Sequence, residues 1–546
     1  MAGQPCARAL NHKKHDARSG VAMRPALHTD RPTYQTGHGA GFWLVMAACT
    51  LTLAACGGGG GDGGAPAGDG DAIVASSRVE NLCAAPRAGI DPATGQSFTD
   101  QPGTLAQEKS WVRAYIDETY LWFDEIPASV RAANFATPQT YFDALRTPAL
   151  TASGKPKDRF HFRYDTPEWQ ALSQSGAAAG YGFELVVIRT QPPRDIRVAL
   201  TEANTPATAA RIARGAKILF VDGADATNGA SVDVLNAGLY PKKANETHSF
   251  TVLDGNGSQR AFTLTSQTVT STPVQNVKVI DTPPGRTGYL LFNDHVATSE
   301  GPLVDAITQL KAEGITDLVI DVRYNGGGYL AIASQLAYMV ATPAATSGTV
   351  FERLLFNRKN PFGLTAQETI TPFYATTRGL STTSGQALPQ LGLSRVTLLT
   401  GPGTCSASES IANGLRGVNI RVDLIGETTC GKPYGFLPQD NCGTTYFAIQ
   451  FEGVNNKGVG GYADGLAPTC QVADDFTREL GDPSEKRLAA ALSYGATGNC
   501  PAASSTFAKT GVPQSGKSSD LADAADSFSV IKPLSRTSKI LQLERR

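Results

Sequence analysis

Between residues 286 and 426 the chain alternates apolar strand-like runs with segments of helical period, and no other feature constrains its fold as strongly. GYLLF reads as a strand; Leu303, Ala306, Ile307 and Leu310 then mark one face of a helix that stops at Gly314, and LVIDV is a second strand. A helix from about Tyr329 follows. After a stretch to about 390 that carries no clear period come the strand VTLLT, a helix over Ser406 to Leu415 and the strand RVDLIG. Strand, helix and strand in this order predict parallel βαβ units in an α/β core.

The preceding regions have other periods. From Lys109 to Phe123, apolar Val112, Tyr115, Ile116, Tyr120 and Phe123 fall at helical spacing with Trp111 and Trp122 beside them, which predicts a helical N-terminal domain with a core role for its aromatics. Residues 175 to 275 carry short β-rich runs (FELVVIR, IRVAL, KILFVDG, HSFTVL and RAFTLT) and helix-like segments starting at Thr205 and Ser231. The string Gly180-Tyr181-Gly182-Phe183, followed by TPATAARIARGAKILFVDG, resembles a PDZ domain. That resemblance implies a loop whose backbone N–H groups receive a peptide's terminal carboxylate while the peptide adds a strand beside the one that follows. Adjacent N–H groups in such a loop make an anion nest, and Phe183 and Leu185 would help wall an apolar pocket.

With 48 basic and 49 acidic side chains in 546 residues, the formal charge is −1, which argues against a basic nucleic-acid binder; no nucleic-acid partner is expected. Basic residues through Arg31 precede the apolar run GFWLVMAACTLTLAA and Cys56. The run is shorter than the ~20 residues that span a bilayer. It resembles a bacterial lipoprotein signal, with Cys56 lipidated and the protein exported and membrane-anchored, facing periplasm or cell surface. The expected organisation is a signal over 1–56, a Gly-rich tether over 57–84, the helical domain over 85–170, the PDZ-like module over 171–275, the α/β core over 276–500 and a loose tail over 501–546. Cys83, Cys405, Cys430, Cys442, Cys470 and Cys500 remain after the leader, an even number that favours disulfides. A Cys430–Cys442 bridge is one expectation, closing a short loop around Lys432. With only His161, His248 and His295 beyond the leader and no CxxC pair, no metal site is expected.

Three segments carry candidate chemistry. VTLLTGPGTCSASES places Ser406 where a strand passes through glycines into a helix, with N–H groups nearby that could hold an oxyanion; alternatively Ser406 is an N-cap whose capping box is completed by Glu409. GETTCGKPYGF puts Lys432 in a turn after the next strand. DVRYNGGGYL ends a strand in Gly326, Gly327 and Gly328, and the absence of a following GKS or GKT leaves a phosphate loop unsupported.

Taken together and in this order, behind a PDZ-like module, IDVRYNGGG, TCSASESIANGL and GETTCGKPYG resemble the carboxyl-terminal processing (tail-specific) proteases over roughly residues 105 to 490. The resemblance implies Ser406 as nucleophile ahead of Ser408, Lys432 as general base, and an oxyanion hole from the N–H groups of Ala407 and of Gly327 or Gly328. Substrates would be proteins or peptides offered by free C-terminal tails, and no cofactor is required. A lysine ordinarily titrates near ~10.4, so it takes a proton near neutrality only where burial or positive charge lowers that value. Many members carry a glutamine four residues after the lysine. Here Phe436 stands there and Gln439 is the nearest candidate for a third member. That departure keeps open an inactive, peptide-binding relative of the same fold, and a Ser/His hydrolase using His295 is a weaker third reading.

Overall fold

The computed structural model describes residues 73–92, 94–283, 285–501 and the strand Lys539–Ile540. The expected signal, Cys56, most of the tether and all of the tail but residue 501 and that strand lie outside the described residues. A six-stranded sheet holds β1 Val274–Thr282, β2 Gly285–Phe292, β3 Asp317–Asp321, β4 Arg395–Thr400, β5 Arg421–Gly426 and β6 Cys470–Gln471, side by side in sequence order. β1 runs antiparallel to β2, and every other neighbouring pair is parallel. Helices α1 Glu300–Ala312, α2 Leu330–Val340 and α3 Ala407–Gly417 lie in the connections β2 to β3, β3 to β4 and β4 to β5; α4 Lys486–Thr497 follows β6.

Alternate residues of each strand enter opposite cores. Leu290, Phe292, Leu318, Ile320, Leu398 and Leu424 pack with Ile307 of α1, Leu336 of α2 and Ile411 of α3. Tyr289, Leu291, Val319, Leu399 and Ile425 pack on the other face with Leu488 and Ala491 of α4. Both faces are covered, so the strands read in sequence as near-continuous apolar runs. The stretch without clear period also forms sheet: Val350–Phe356 pairs with Ile370–Pro372 and with Phe451–Val454, which in turn pairs with Tyr434–Gly435.

The N-terminal helix spans Leu105–Thr119, capped where Thr104 Oγ1 accepts the Gln107 N–H at 3.2 Å. It stops short of the aromatic stripe that extends to Phe123. Tyr120 turns extended, and the Leu121 N–H donates to the Ile449 carbonyl at 2.7 Å instead of continuing the helix. Trp111, Tyr115, Phe142 and Phe162 belong to the same core as α1 to α3, and Phe162–Asp165 pairs with Thr444–Phe447.

The module after residue 180 has its own core, including Tyr181, Ile196, Val198, Ile218, Leu235 and Val252. Its main strands lie in the order Gln259–Thr265, Thr247–Leu253, Lys217–Val221, Asp195–Thr201 and Phe183–Arg189, the last at the edge. Short helices Pro206–Ala209 and Val232–Leu239 begin one residue after Thr205 and Ser231. The module meets the α/β core through Ala199 and through Arg214, whose guanidinium donates to the Tyr324 hydroxyl and to Asp474, both at 2.7 Å. Among the described residues no helix is long and apolar enough to cross a membrane.

The expected Cys430–Cys442 bridge is not formed. Cys83 bonds to Cys442, Cys405 to Cys430 and Cys470 to Cys500. A disulfide needs Cα atoms roughly 4.4–6.8 Å apart, which sequence proximity does not guarantee. The fold brings Cys405 to within 5.2 Å of Cys430, while Cys442, at a hairpin turn, lies 5.4 Å from Cys83.

Candidate active site

The three glycine-bearing loops follow adjacent parallel strands: Asn325–Gly328 follows β3, Gly401–Ser406 follows β4, and Glu427–Lys432 follows β5. Parallel strands end at one edge of the sheet, so the carboxyl ends of β3, β4 and β5 gather segments separated by about a hundred residues of chain. The Gly401–Ser406 loop is pinned to its neighbours by backbone bonds: the Cys405 N–H donates to the Asn325 carbonyl at 3.1 Å, and the Cys430 N–H to the Thr404 carbonyl at 3.0 Å.

Ser406 sits at the turn into α3 with φ 60° and ψ −117°. A side chain bearing a Cβ adopts that conformation at a cost, and such residues cluster where a loop must aim a functional group. Its residue is fully buried, and although it stands at the capping-box position, its hydroxyl makes no hydrogen bond among the described residues. The Glu409 half of that box is made, with the Ser406 N–H donating to Glu409 Oε2 at 2.8 Å. Ser408 is placed differently: its hydroxyl donates to the Asn325 carbonyl at 3.0 Å.

Glu409 does more than cap. Its carboxylate also accepts N–H bonds from Gly431 and Lys432, each at 2.8 Å, and the Thr429 hydroxyl at 2.5 Å. Burial pushes the Glu409 carboxyl up, and these donors offset part of that rise. One side chain thereby ties the Ser406 turn to the Lys432 loop. The signal was present in the spacing of Ser406 and Glu409, but sequence reading assigned it to capping alone.

Lys432 is buried, and its ammonium lies 4.5 Å from the Phe436 ring centroid and 5.0 Å from that of Phe160. The residue that departs from the glutamine pattern is thus part of the lysine's wall. Gln439 lies instead on the strand Gln439–Asn441, paired opposite Tyr446, and its side chain enters none of the hydrogen bonds of this site. Arg159, which sequence reading missed, reaches in from the N-terminal segment and donates to the carbonyls of Cys430 at 2.7 Å and Ala463 at 3.0 Å. Nothing in its local sequence marks that role; only the fold brings it 271 residues along the chain.

The glycine loop packs directly on the Ser406 turn. A Cβ on Gly327, whose φ is +100°, would lie 2.9 Å from Ser406 Cβ and 3.0 Å from the Ala407 nitrogen, so only glycine lets the two loops meet. The Ala407 N–H, at the first position of α3, has no acceptor within the helix. The Gly327 N–H donates to Asn325 Oδ1 at 3.0 Å. Gly328 differs. The His295 N–H donates to the Gly327 carbonyl and the Tyr329 N–H to the His295 carbonyl, which leaves Gly328's own N–H and C=O pointing to the opposite edge. There Gly328–Tyr329 pairs in parallel with Lys539–Ile540.

His295 is fully buried, and burial pushes its imidazole down to about 3. Its Nδ1 bonds to Asn325 Oδ1 at 2.9 Å, so it orients the side chain that holds Gly327. An imidazole that weakly basic is poorly suited to take a serine proton. The described His, Cys, Asp and Glu residues form one tight cluster able to hold a metal, Cys405, Glu409 and Cys430, but its two sulfurs are bonded to each other.

In the module, Tyr181 is buried and donates its hydroxyl to the Gly238 carbonyl at 3.0 Å. Gly182 has φ +83°, and a Cβ there would fall 2.3 Å from Thr205, so the turn packs against the start of the Pro206–Ala209 helix. Gly180 pairs with Gln267, and Phe183 opens the edge strand.

Comparison with known proteins finds relatives over both the N-terminal segment and the α/β core. Residues 286–439 match the model of peptidase family S41, and residues 107–162 match that of the peptidase S41 N-terminal domain. The chain is 27% identical over 343 residues to a carboxyl-terminal-processing protease of Picosynechococcus sp., covering 62% of this chain and 74% of that protein. It is 27% identical over 347 residues to the Synechocystis sp. protease of the same name, covering 62% and 72%. The fold is shared with a Bacteroides fragilis protein assigned to the S41 proteases, at a TM-score of 0.55 and 20% identity over 71% of this chain and 97% of that one. The buried serine at its strained strand-to-helix turn and the lysine on the neighbouring loop both lie within residues 286–439, the stretch that matches peptidase family S41.

Proposed function

We infer that the protein is a serine endopeptidase in which Ser406 is the nucleophile and Lys432 the general base. The observation that carries this reading is the Ser406 hydroxyl: buried, on a strained turn, and without a hydrogen-bond partner among the described residues. Buried hydroxyls ordinarily find partners, and the exceptions mark sites where a reacting group is awaited. Lys432 would take the Ser406 proton as Oγ attacks the scissile carbonyl and return it to the departing amine as the C–N bond breaks, leaving an acyl-enzyme that water then hydrolyses. Ala407 and Gly328 are the assigned oxyanion donors, on loops that follow β4 and β3. The substrate would run as an extended strand along the outer edge of Gly328–Tyr329, an edge that already pairs with Lys539–Ile540.

The glycine turn Gly180–Phe183 and its edge strand are assigned as a PDZ-like receiver of substrate C-termini. Export as a lipid-anchored protein through Cys56, facing periplasm or cell surface, is part of the same reading; three disulfides among the described residues support an oxidising compartment. The rival, an inactive peptide-binding relative, is separated by casein turnover. The wild-type protein should cleave casein and Ser406→Ala should not; a wild-type protein that binds peptides without turnover would favour the rival.

A further inference from the structure

The Cys405–Cys430 disulfide joins the residue before Ser406 to the residue two before Lys432. The other two disulfides touch neither loop. We propose that Cys405 and Cys430 are positioning residues of the catalytic pair: their disulfide holds the Ser406 and Lys432 loops in register, and its reduction by a dithiol reversibly lowers turnover while the fold persists. This rests on the Ser406–Lys432 assignment above.

Without the disulfide, few ties span the two loops. The Cys430 N–H bonds to the Thr404 carbonyl, and Glu409 gathers the N–H groups of Ser406, Gly431 and Lys432. These bonds secure backbone near the pair, but all of the Glu409 ties depend on one buried carboxylate. The covalent link sets the loop separation independently of that carboxylate. A misplacement of about 1 Å between reacting groups costs on the order of 100-fold in rate, so modest loosening is enough to matter. The fold itself does not depend on this bond in the same way, because the strands behind both loops are held by the full β4–β5 ladder.

The chemistry of release is that of thiol–disulfide exchange. Cys405 is buried and Cys430 is half-buried, so the reagent's thiolate reaches Cys430 Sγ. A bond forms between the two sulfurs, the protein S–S bond breaks, and its electron pair leaves on Cys405, which takes a proton from water. The reagent's second thiol then displaces Cys430 as thiolate and closes the reagent's own disulfide. Two electrons pass from dithiol to protein.

The test titrates the wild-type enzyme with dithiothreitol, maps each reduced cysteine by alkylation and mass spectrometry, and reads kcat and KM separately on a chromogenic peptide. EDTA is kept present, because the donor atoms of Cys405, Glu409 and Cys430 lie within 4.8 Å of one another and freed thiols could chelate a metal. Alkylation of Cys405 and Cys430 should track a fall in kcat of about 10- to 100-fold, with KM within about twofold and far-UV circular dichroism unchanged. Oxidised glutathione should restore activity, and the C405A/C430A variant should show the low kcat and ignore the reductant. Full kcat in enzyme whose Cys405 and Cys430 are both alkylated overturns the proposal, whether or not the double variant folds. If Ser406→Ala retains turnover, the catalytic assignment itself has failed; if it is dead while reduced enzyme stays fully active, only the positioning role has.

Discussion

Two buried polar clusters lie next to each other at the end of β3, and they are built on opposite principles. Around Arg323, two residues past β3, every charge is answered: Asp321 accepts at 2.9 Å, Asp474 at 2.8 Å and Glu485 at 2.9 Å, while Arg214 joins through Asp474 and the Tyr324 hydroxyl. Two residues further, Asn325 opens the Ser406 site, where the serine hydroxyl and His295 Nε2 are buried without hydrogen-bond partners among the described residues. The carboxyls show the same divergence. Burial alone would raise Asp474, yet Arg323, Arg487 and Arg214 outweigh it and hold that carboxyl well below the usual range. At Glu409 burial wins and the carboxyl is raised. A fully satisfied network specifies structure, whereas an incompletely satisfied one, kept at a cost, marks a site awaiting a ligand.

The largest expected effect breaks the unsatisfied cluster. Ser406→Ala and Lys432→Ala should each lower kcat/KM by about 10⁴-fold or more, and the double variant should lose little beyond either, because nucleophile and base act as a unit. Melting temperature should hold or rise in Ser406→Ala, since an unpartnered buried hydroxyl is removed. Activity should also rise toward alkaline pH, as a lysine must shed its proton before it can accept one; a flat profile would count against Lys432 as base.

Breaking the satisfied cluster should do the reverse. Arg323→Ala strands buried carboxylates and should cost on the order of 3–5 kcal/mol in urea unfolding. Asp474→Asn gives a pH signature. A carboxyl lowered on folding contributes stability that is fully present above its unfolded value near ~4 and fades as pH falls through the folded value. The Asn variant should therefore be about 3 kcal/mol less stable at pH 7, with the gap narrowing below about pH 4. A gap independent of pH would mean that Asp474 acts through packing alone.

The smallest effects are expected in the module. Amidating a substrate's C-terminus should raise KM several-fold for protein substrates, and a bulky residue at Gly182 should do likewise while sparing small chromogenic peptides. Equal turnover of amidated and free-acid substrates would remove carboxylate capture from the account.

What was legible in the sequence follows from how local each signal is. The runs GYLLF, LVIDV, VTLLT and RVDLIG coincide with β2 to β5 because strands covered on both faces must be apolar throughout. Ser406, Lys432 and the glycine loop were readable because each sits within a few residues of a strand end. The disulfide partners were not, since Cys83 and Cys442 lie 359 residues apart and only the fold sets their approach. Arg159 and the Arg323 network were hidden for the same reason: a charged residue looks alike in sequence whether it faces water or three buried carboxylates. Phe436 was read as a missing partner, although its ring lies beside the lysine it was thought to abandon.

The central claim, that Ser406 attacks with Lys432 as its base, is tested most directly by mapping the adduct of a fluorophosphonate probe. Wild-type protein should carry the phosphonyl group on Ser406, Lys432→Ala should label at least about 100-fold more slowly, and Ser406→Ala should not label. An adduct on Ser408, or equal labelling rates with and without Lys432, would contradict the account.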